Sequence, residues 1–228
     1  MEILDLHIHT TWGSWDSGLS PHRLGDAMNK AGLTGAATAE HLRPWPEGEV
    51  MRFREETGLF LVAAREWETD MGHIISLGLP EKVGPVYRAE HLRRVADEYG
   101  GLLILAHPFR YFPGPSSLLF GSIPNAGQMS VAELAQHPVF HLVDAIEVLN
   151  GGCVDWENQL AYQVAQYLGK PMVGSSDAHS FTEVGRYGTI FHSPIRSLAD
   201  LIQALGEGRC QPAIRRDGTF LPFSLEPR

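Results

Sequence analysis

The chain has 228 residues, of which 43% are hydrophobic and 20% are charged. This is the balance of a folded globular protein rather than of a disordered or fibrous chain. The formal net charge of −9 argues against an extended nucleic-acid surface, because such surfaces hold phosphates with clustered Lys and Arg. A small anionic substrate remains compatible with this charge, since bound divalent ions would invert the local electrostatics of a site.

The two cysteines, Cys153 and Cys210, lie far apart in sequence, so we predict reduced thiols rather than a disulfide framework. The chain begins without a basic segment followed by an apolar one. No apolar run approaches the roughly 20 residues that a membrane helix needs. We therefore expect a cytoplasmic protein with no membrane partner, and the sequence leaves its oligomeric state open.

Short apolar runs alternate with longer amphipathic ones, which is typical of βα units around a mostly parallel sheet. The first predicted strand covers residues 3–9. A helix follows, with Ser20 as its N-cap, Pro21 at its first position and Gly32 at its end. The second predicted strand covers residues 34–40.

A Pro-rich connection leads to two apolar runs, residues 59–67 and 73–79, whose spacing predicts a hairpin. Residues 89–99 show helical spacing and end at a Gly-Gly pair. The continuous apolar run at residues 102–106 is typical of a strand that is buried on both faces.

Residues 108–129 are rich in Pro, Gly and Ser and have no periodicity, and loops of this length are usually functional or disordered. We find no internal repeat and no linker, so we predict one domain over residues 1–228. The remaining predicted elements are helices at 131–136, 156–168 and 198–206, and strands at 145–149, 171–175 and 188–192.

Histidines and carboxylates recur at the ends of the predicted strands. The C-terminal ends of the strands in a parallel barrel converge on one face, where such folds place their active sites. A single histidine is more often structural, but this recurrence is difficult to obtain by chance. The residues in this pattern are His7, His9, His41, Glu66, His107, Asp177 and His179.

His7 and His9 form an H-x-H pair, whose two imidazoles point to the same side of a strand because side chains alternate. Mixed imidazole and carboxylate sites suit Zn, Mn or Fe, and the ligand types leave the choice among them open. A carboxylate such as Glu66 can bridge two ions, and ions about 3.5 to 4 Å apart clamp the attacking and leaving oxygens of phosphoryl transfer.

Six segments together resemble the successive motifs of the polymerase and histidinol phosphatase (PHP) family. The resemblance spans residues 5–179, and this ordered set is far more specific than H-x-H alone. The segments are Asp5-Leu6-His7-Ile8-His9-Thr10, Glu40-His41, Glu66, His73-Ile74-Ile75-Ser76-Leu77-Gly78, Ala106-His107-Pro108 and Asp177-Ala178-His179.

The resemblance implies a distorted, TIM-like (β/α)7 barrel that binds two or three divalent metal ions. The sequence departs from the usual family pattern at two places. The loop from Thr10 to Pro21 looks about two residues longer than in common members, and Glu40 stands where Asp is frequent. The implied ligands are His7, His9, Glu66 and Asp177 for one ion, Glu66, His73 and His107 for a second, and Asp16, His41 and His179 for a third.

The resemblance also implies a phosphoesterase or phosphatase that acts on a small phosphorylated substrate or a short nucleotide. We expect a hydroxide that bridges two ions to attack phosphorus, because metal binding lowers the pKa of water towards neutrality, with no further catalytic side chain. Arg43 and Arg110 follow two of the strand ends and could bind the phosphate, although loop arginines are often only solvated. Arg186 is a weaker candidate, and Asn150 is predicted to contact the substrate or to support the ligands.

Asp5 has two interpretations, a core carboxylate satisfied by backbone donors or a partner that orients a metal-binding histidine, and we favour the second. Of the remaining histidines, only His192 is a candidate for a site role, because its predicted strand also ends towards this face. The other members of that set are His22, His91, His137 and His141.

Two other classes of function remain open. An amidohydrolase would also use H-x-H on a barrel, but it often adds a bridging lysine, and Lys30, Lys82 and Lys170 do not follow suitable strands. A non-catalytic structural or regulatory module is the other alternative, although degenerate copies usually lose ligands and this chain retains a His, Asp or Glu at every implied position.

Overall fold

The computed structural model describes residues 1–225, so residues 226–228 of the predicted domain lie outside the described residues. The strands are β1 (Glu2–Ile8), β2 (Gly35–Glu40), β3 (Phe60–Thr69), β4 (Gly72–Leu77), β5 (Leu102–Leu105), β6 (Ala145–Asn150), β7 (Met172–Ser175), β8 (Tyr187–Phe191), β9 (Cys210–Arg216) and β10 (Thr219–Pro222). The helices are α1 (Pro21–Ala31), α2 (Glu47–Thr57), α3 (Ala89–Tyr99), α4 (Val131–Leu134), α5 (Asp155–Leu168) and α6 (Leu198–Gly206).

All ten strands belong to one sheet, in the order β10-β9-β8-β1-β2-β3-β4-β5-β6-β7. The sheet is mixed rather than mostly parallel, because the β3–β4 hairpin reverses the chain and β4 runs antiparallel to both of its neighbours. It curls until residues beyond β7 reach β1, where Ile8 forms a bridge with Ala178 and the His9 amide donates to the Ala178 carbonyl at 2.9 Å. The chain therefore has a curled α/β sheet with an antiparallel extension, β8 to β10, beside β1.

The inside of the curl is filled by α6. One buried cluster contains side chains from each of the strands β1 to β7 together with Leu201 and Leu205 of α6. The opposite face of the sheet packs in two other clusters, one against α1 and α2 and one against α3, α4 and α5. One short helix can reach seven strands only from the concave side of the sheet, so α6 lies inside the curl. It fills the end of the curl opposite the strand ends that carry the predicted site.

Two β-bulges change which residues face the inside of the curl. Between Asp5 and Ile8, three steps along β1 match two along β2, so the inward side changes from Leu6 to His7 and His9. Ile8 then packs outside against α1. A second bulge, between Glu147 and Leu149 of β6, lets Glu147 and Asn150 face the same interior although they are three residues apart.

Most of the predicted elements are confirmed within one or two residues, and α3 and α6 have the predicted bounds. Gly32 ends α1 with φ of 78°, as its C-cap position requires. None of the helices in residues 1–225 is long and apolar enough to cross a membrane.

The sequence analysis missed α2, β9 and β10. Helix α2 buries only Val50 and Phe53, so its apolar periodicity is weak. Strands β9 and β10 join at Asp217-Gly218, a dipeptide that is a known hairpin signal. Residues 108–129 form consecutive turns, among which Phe109, Phe112 and Phe120 pack against one another.

We predict that Leu201→Ala destabilises the protein by about 2 to 5 kcal/mol, because the fully buried leucine leaves a cavity inside the curl. Urea denaturation followed by circular dichroism measures this. Gln203→Ala, on the exposed face of the same helix, should cost less than about 0.5 kcal/mol. Equal effects of the two substitutions would contradict the placement of α6 in the core.

Candidate metal centre

The predicted site residues meet at one end of the curled sheet. His7, His41, Glu66 and Asp177 lie at or just beyond the C-terminal ends of parallel strands. His73 is near the start of β4, and because β4 is antiparallel its N-terminal end reaches the same place. The hairpin therefore brings His73 to the site, which the convergence of the C-terminal ends of parallel strands does not explain.

Glu66 lies at the middle of the cluster, and one of its oxygens faces three imidazoles. Its Oε2 is 3.5 Å from His7 Nε2, 3.4 Å from His9 Nε2 and 3.3 Å from His41 Nδ1. The carboxylate is only 2% exposed. This oxygen therefore connects β3 to the end of β1 and to the residue that follows β2.

The other oxygen of Glu66 faces two further imidazoles. His73 Nδ1 and His107 Nε2 each lie 3.0 Å from Oε1. The two oxygens of Glu66 are therefore divided between two groups of nitrogen donors, which is the arrangement of a carboxylate that can bridge two ions.

One oxygen of Asp177 faces the imidazoles of His7 and His9, and the other faces the guanidinium of Arg110. Its Oδ1 is 3.4 Å from His7 Nε2 and 3.3 Å from His9 Nε2. Its Oδ2 accepts hydrogen bonds from Arg110 and, at 3.3 Å, from Asn150 Nδ2. Arg110 therefore holds Asp177 so that Oδ1 points at the imidazole pair.

Asp16, His41 and His179 form a third group at the more exposed edge. Asp16 Oδ2 lies 3.2 Å from His41 Nε2 and 3.2 Å from His179 Nε2. The side chains of Asp16 and His179 are each 30% exposed. The structure thus brings Asp16 to the two histidines with which the resemblance grouped it.

The donor set fits divalent metal ions. His7 Nε2, His9 Nε2 and His41 Nδ1 are buried and make no hydrogen bond among the described residues, although each faces a carboxylate at 3.3 to 3.5 Å. Ligand atoms about 2.0 to 2.2 Å from a tetrahedral ion lie at about this distance from one another. Four overlapping triads have all their ligand atoms within 4.8 Å: His9, His41 and His179; His7, His9 and Glu66; His7, His107 and Asp177; and Glu66, His73 and His107.

The carboxylates of the cluster control its charge. Burial disfavours a charged His7, but Asp177, Glu147 and Glu66 outweigh burial and raise the pKa of His7 well above its usual value. Burial likewise opposes ionisation of Glu66 and Asp177, yet the facing imidazoles hold the pKa of each carboxyl well below its usual range. The metal-free centre therefore holds two carboxylates and a proton that a metal ion would replace.

Two other imidazoles stay neutral. Burial lowers the pKa of His9 to about 4, and it also lowers the pKa of His107. Neutral imidazole is the form that binds metal. These two side chains are available as ligands near neutral pH without losing a proton.

Glu147 orients His7 from behind, and the sequence analysis did not single it out. Its Oε1 lies 3.0 Å from His7 Nδ1, and its Oε2 accepts from the His107 amide at 2.8 Å and from Asn150 Nδ2 at 2.8 Å. A carboxylate behind a metal-binding histidine fixes its tautomer and orientation. The sequence feature that could have indicated this role is the position of Glu147 on an apolar strand, three residues before Asn150.

Asp5 does not have the orienting role that we favoured. It accepts from Ser176 N at 2.9 Å, Ser176 Oγ at 2.5 Å, Gly185 N at 3.1 Å and, weakly, from the His7 amide at 3.3 Å. None of these donors is an imidazole, because Asp5 faces outward between the inward-facing Leu4 and Leu6, whereas the bulge that follows it turns His7 inward. Burial raises the pKa of Asp5 to about 6, and the carboxyl joins β1 to the segment after β7.

Asn150, predicted to contact the substrate or to support the ligands, has its contacts within the protein. Asn150 is completely buried, and both ends of its amide are used within the protein. Its Oδ1 accepts from Arg110 Nη2 at 2.7 Å and from the Gly152 amide at 2.8 Å, while Nδ2 donates to Glu147 and Asp177. Asn150 therefore supports the centre and is not free to bind a substrate.

The other predicted cations and histidines lie in different surroundings. Arg110 is bound to Asp177, whereas Arg43 is exposed and its guanidinium lies 5.3 Å from the centre of the Trp12 ring. His192 is exposed at the end of β8, and because β8 is antiparallel to β1 this end is remote from the centre. His22, His91, His137 and His141 belong to none of the triads found in residues 1–225.

Two of the candidate ligands have strained backbones. His107 has φ of 30° and Asp177 has φ of 53°, in the left-handed region that non-glycine residues rarely adopt. Strain of this kind persists only where surrounding contacts impose it, and it concentrates at functional sites. Both residues lie two positions beyond the short strands β5 and β7, where the chain turns its side chains into the cluster.

A curled α/β sheet whose strand ends carry a buried carboxylate and imidazole cluster defines a metal-binding protein of the α/β class. A family model described as PHP-associated (PHP_C) matches residues 155–210. An uncharacterised protein of Methanocaldococcus jannaschii is 30% identical over 114 residues, which cover 46% of this chain and 67% of the relative. The chain belongs to the PHP family.

Solved structures share the fold at low identity. A candidate metal-dependent phosphoesterase of Bifidobacterium adolescentis has a TM-score of 0.60 and 14% identity, over 78% of this chain and 88% of its own. The lesion-specific endonuclease Q of Pyrococcus furiosus has a TM-score of 0.62 and 18% identity, over 90% of this chain but only 56% of its own. An amidohydrolase of Chromobacterium violaceum has a TM-score of 0.62 and 13% identity, over 91% and 96% of the two chains.

We predict that the metal affinity of the protein rises with pH by up to about tenfold per pH unit around neutrality. The raised pKa of His7 means that a bound proton must leave when an ion binds, and this competition ends only above that pKa. Competition with a chromogenic zinc chelator at pH 6, 7 and 8 measures the slope. His91→Ala, an exposed helix residue, should retain it, whereas a flat profile would contradict protonation of His7.

Proposed function

We propose that the protein is a metal-dependent hydrolase of phosphate esters, a phosphoesterase or phosphatase formed by residues 1–228 as one domain. The observation that supports this proposal most directly is that the two oxygens of Glu66 face different groups of imidazoles. Oε2 faces His7, His9 and His41, and Oε1 faces His73 and His107. We further propose that the arc from β1 to β7 is the distorted seven-unit barrel of the family, with one unit replaced by the β3–β4 hairpin.

The proposed ligands follow the three groups of donors. His7, His9, Glu66 and Asp177 would hold one ion, Glu66, His73 and His107 a second, and Asp16, His41 and His179 a third. We propose two or three ions of Zn, Mn or Fe, because this mixture of imidazole and carboxylate suits each of them. Ions bound there would acidify water and place positive charge beside a phosphate.

The side chains behind the ligands keep the donor atoms aimed at the centre. Glu147 holds the His7 ring, and Arg110 with Asn150 holds Asp177. Arg110 is itself 20% exposed, so its guanidinium also presents positive charge at the edge of the cluster. We propose that Arg110 acts on the substrate phosphate as well as on Asp177, since a guanidinium can donate in several directions.

For the substrate we propose a small phosphorylated molecule or a short nucleotide. Endonuclease Q has also been solved with a 27-mer duplex that carries an abasic lesion at its active site, and that structure has a TM-score of 0.57 to this chain. A phosphodiester within DNA is therefore a second candidate substrate. The net charge of −9 favours the smaller substrates, because it disfavours long-range attraction to a polyanion.

The amidohydrolase alternative has the shared fold of one neighbour in its favour. A bridging lysine is the feature that such enzymes often add, and the chain has no suitable lysine among the described residues. Lys170 donates to the Val143 carbonyl at 2.7 Å, and Lys30 and Lys82 are exposed. Hydrolysis of amides or lactams without hydrolysis of phosphate esters would favour this alternative.

We predict that the purified protein contains metal and hydrolyses p-nitrophenyl phosphate or bis-p-nitrophenyl phosphate. Chelation or His7→Ala should lower kcat/KM by about 100-fold or more, since losing a ligand costs at least as much as losing a group behind one. His91→Ala is the control and should retain full activity. Turnover that survives both treatments would exclude the proposed centre, and the absence of turnover with a full metal content would favour the non-catalytic alternative.

We also predict that Arg110→Ala lowers kcat/KM by about 10- to 100-fold, because it releases Asp177 and removes a cation from the cluster. Arg43→Ala should change it by less than about twofold, as this exposed arginine contacts Trp12. Steady-state kinetics with the two phosphate esters compare the variants. A larger effect at Arg43 would contradict this assignment.

A further inference from the structure

The loop that follows β1 carries a serine between two of the candidate ligands. Ser14 is 3% exposed, and its Oγ lies 3.0 Å from His9 Nδ1 and 3.2 Å from the His41 amide nitrogen. The same hydroxyl lies 2.6 Å from Oε2 of Glu40, which is completely buried. One hydroxyl therefore contacts both histidines of neighbouring strand ends and a carboxylate behind them.

The direction of each hydrogen bond at Ser14 can be deduced. A hydroxyl has one proton to donate and two lone pairs to accept with. The His41 amide can only donate, and the Glu40 carboxylate can only accept. If the single proton of Ser14 goes to Glu40, the remaining lone pair must receive a proton from His9 Nδ1.

Glu40 is surrounded by further hydrogen-bond donors. Its oxygens also accept from the Thr10 amide at 3.2 Å, from the Thr10 hydroxyl and from Trp45 Nε1 at 2.9 Å. The two N–H groups are obligatory donors, so the carboxylate is surrounded by protons rather than by acceptors. This leaves Ser14 as a donor to Glu40 and an acceptor from His9.

We infer that Glu40 and Ser14 are positioning residues of the centre, which hold His9 as the Nδ1–H tautomer and aim its Nε2 lone pair at the ion. His9 Nε2 is buried without a hydrogen-bond partner among residues 1–225, and it faces Glu66 and Asp177 at 3.4 and 3.3 Å. Because the same hydroxyl accepts from the His41 amide, Ser14 also fixes the spacing between His9 and His41. This inference rests on the proposed role of His9 as a metal ligand.

The loop is shaped to bring Ser14 to Glu40. Gly13 allows this approach, since a Cβ there would lie 2.2 Å from the Arg43 carbonyl oxygen and 2.8 Å from Glu40 Cβ. Ser17, in the same loop, donates to the carbonyls of His9 and His179 at 2.9 and 3.1 Å, and its hydroxyl bonds no ring nitrogen in the described part of the chain. Ser17→Ala is therefore a matched control, which removes a loop hydroxyl without removing a contact to an imidazole.

The first measurement is the tautomer of His9 in the metal-free protein, read from the imidazole 15N shifts in long-range 1H–15N NMR spectra, with His9→Ala used for assignment. The wild type and Ser17→Ala should show His9 protonated at Nδ1. Ser14→Ala should shift the population towards the Nε2–H form, and Ser14→Thr, which keeps the hydroxyl, should restore Nδ1–H. A wild-type His9 protonated at Nε2 would overturn the inference.

The second measurement is the zinc affinity of the same variants, from competition with a chromogenic chelator. Ser14→Ala and Glu40→Gln should lower it by about 10- to 100-fold, and Ser17→Ala should leave it within about twofold. Equal affinities of wild type and Ser14→Ala, with both proteins folded by circular dichroism, would also overturn the inference. A wild type that binds no zinc, with His9 still protonated at Nδ1, would instead remove the proposed metal centre and leave the hydrogen-bond relay in place.

Discussion

The buried carboxylate of Glu66 is the group on which the rest of the centre depends. An ionised carboxylate removed from water is costly unless charge and hydrogen bonds surround it. Here imidazoles from β1, from the ends of β2 and β5 and from the start of β4 supply that surrounding, and the pKa of Glu66 falls well below its usual range despite burial. The arrangement draws four strand ends to one point, and it leaves nitrogen lone pairs that only a proton or a cation can satisfy.

Irregularities in the sheet help to bring the side chains of the centre together. The bulge in β1 turns His7 and His9 inward, and the bulge in β6 does the same for Asn150, which then faces the same interior as Glu147. Without these irregularities, strict alternation would direct His7, His9 and Asn150 towards the helices outside. At the opposite end, α6 fills the curl with apolar side chains, so the polar centre and the apolar core occupy separate ends of one interior.

Support behind the ligands comes from three directions. Glu147 holds His7, Ser14 with Glu40 holds His9, and Arg110 holds Asp177. Glu147, Ser14 and Arg110 each touch a ligand directly, and Glu40 acts through Ser14. Such contacts limit the rotation of the donor side chains, which lowers the cost of organising them around an ion. The same geometry explains why Asn150 is buried and saturated rather than open to a substrate.

The amino-acid sequence by itself determined most of the elements and the chemical identity of the donors. Apolar periodicity and capping residues were sufficient for α1, α3 and α6, and the recurrence of His, Asp and Glu at strand ends was sufficient to predict a metal centre. Only the tertiary structure decided which residues stand behind the ligands. Asp5 and Glu147 are both carboxylates on apolar strands, and each keeps the side that ordinary alternation gives it, Asp5 outside and Glu147 inside. The bulge after Asp5, which the local pattern does not show, turns His7 and His9 to the other side of β1, so only Glu147 lies on the same side as the ligands. The sequence predicted the β3–β4 hairpin, whereas the antiparallel pairing of β4 with β5 was decided only by the tertiary structure, since strand propensity does not determine which distant strand is the partner.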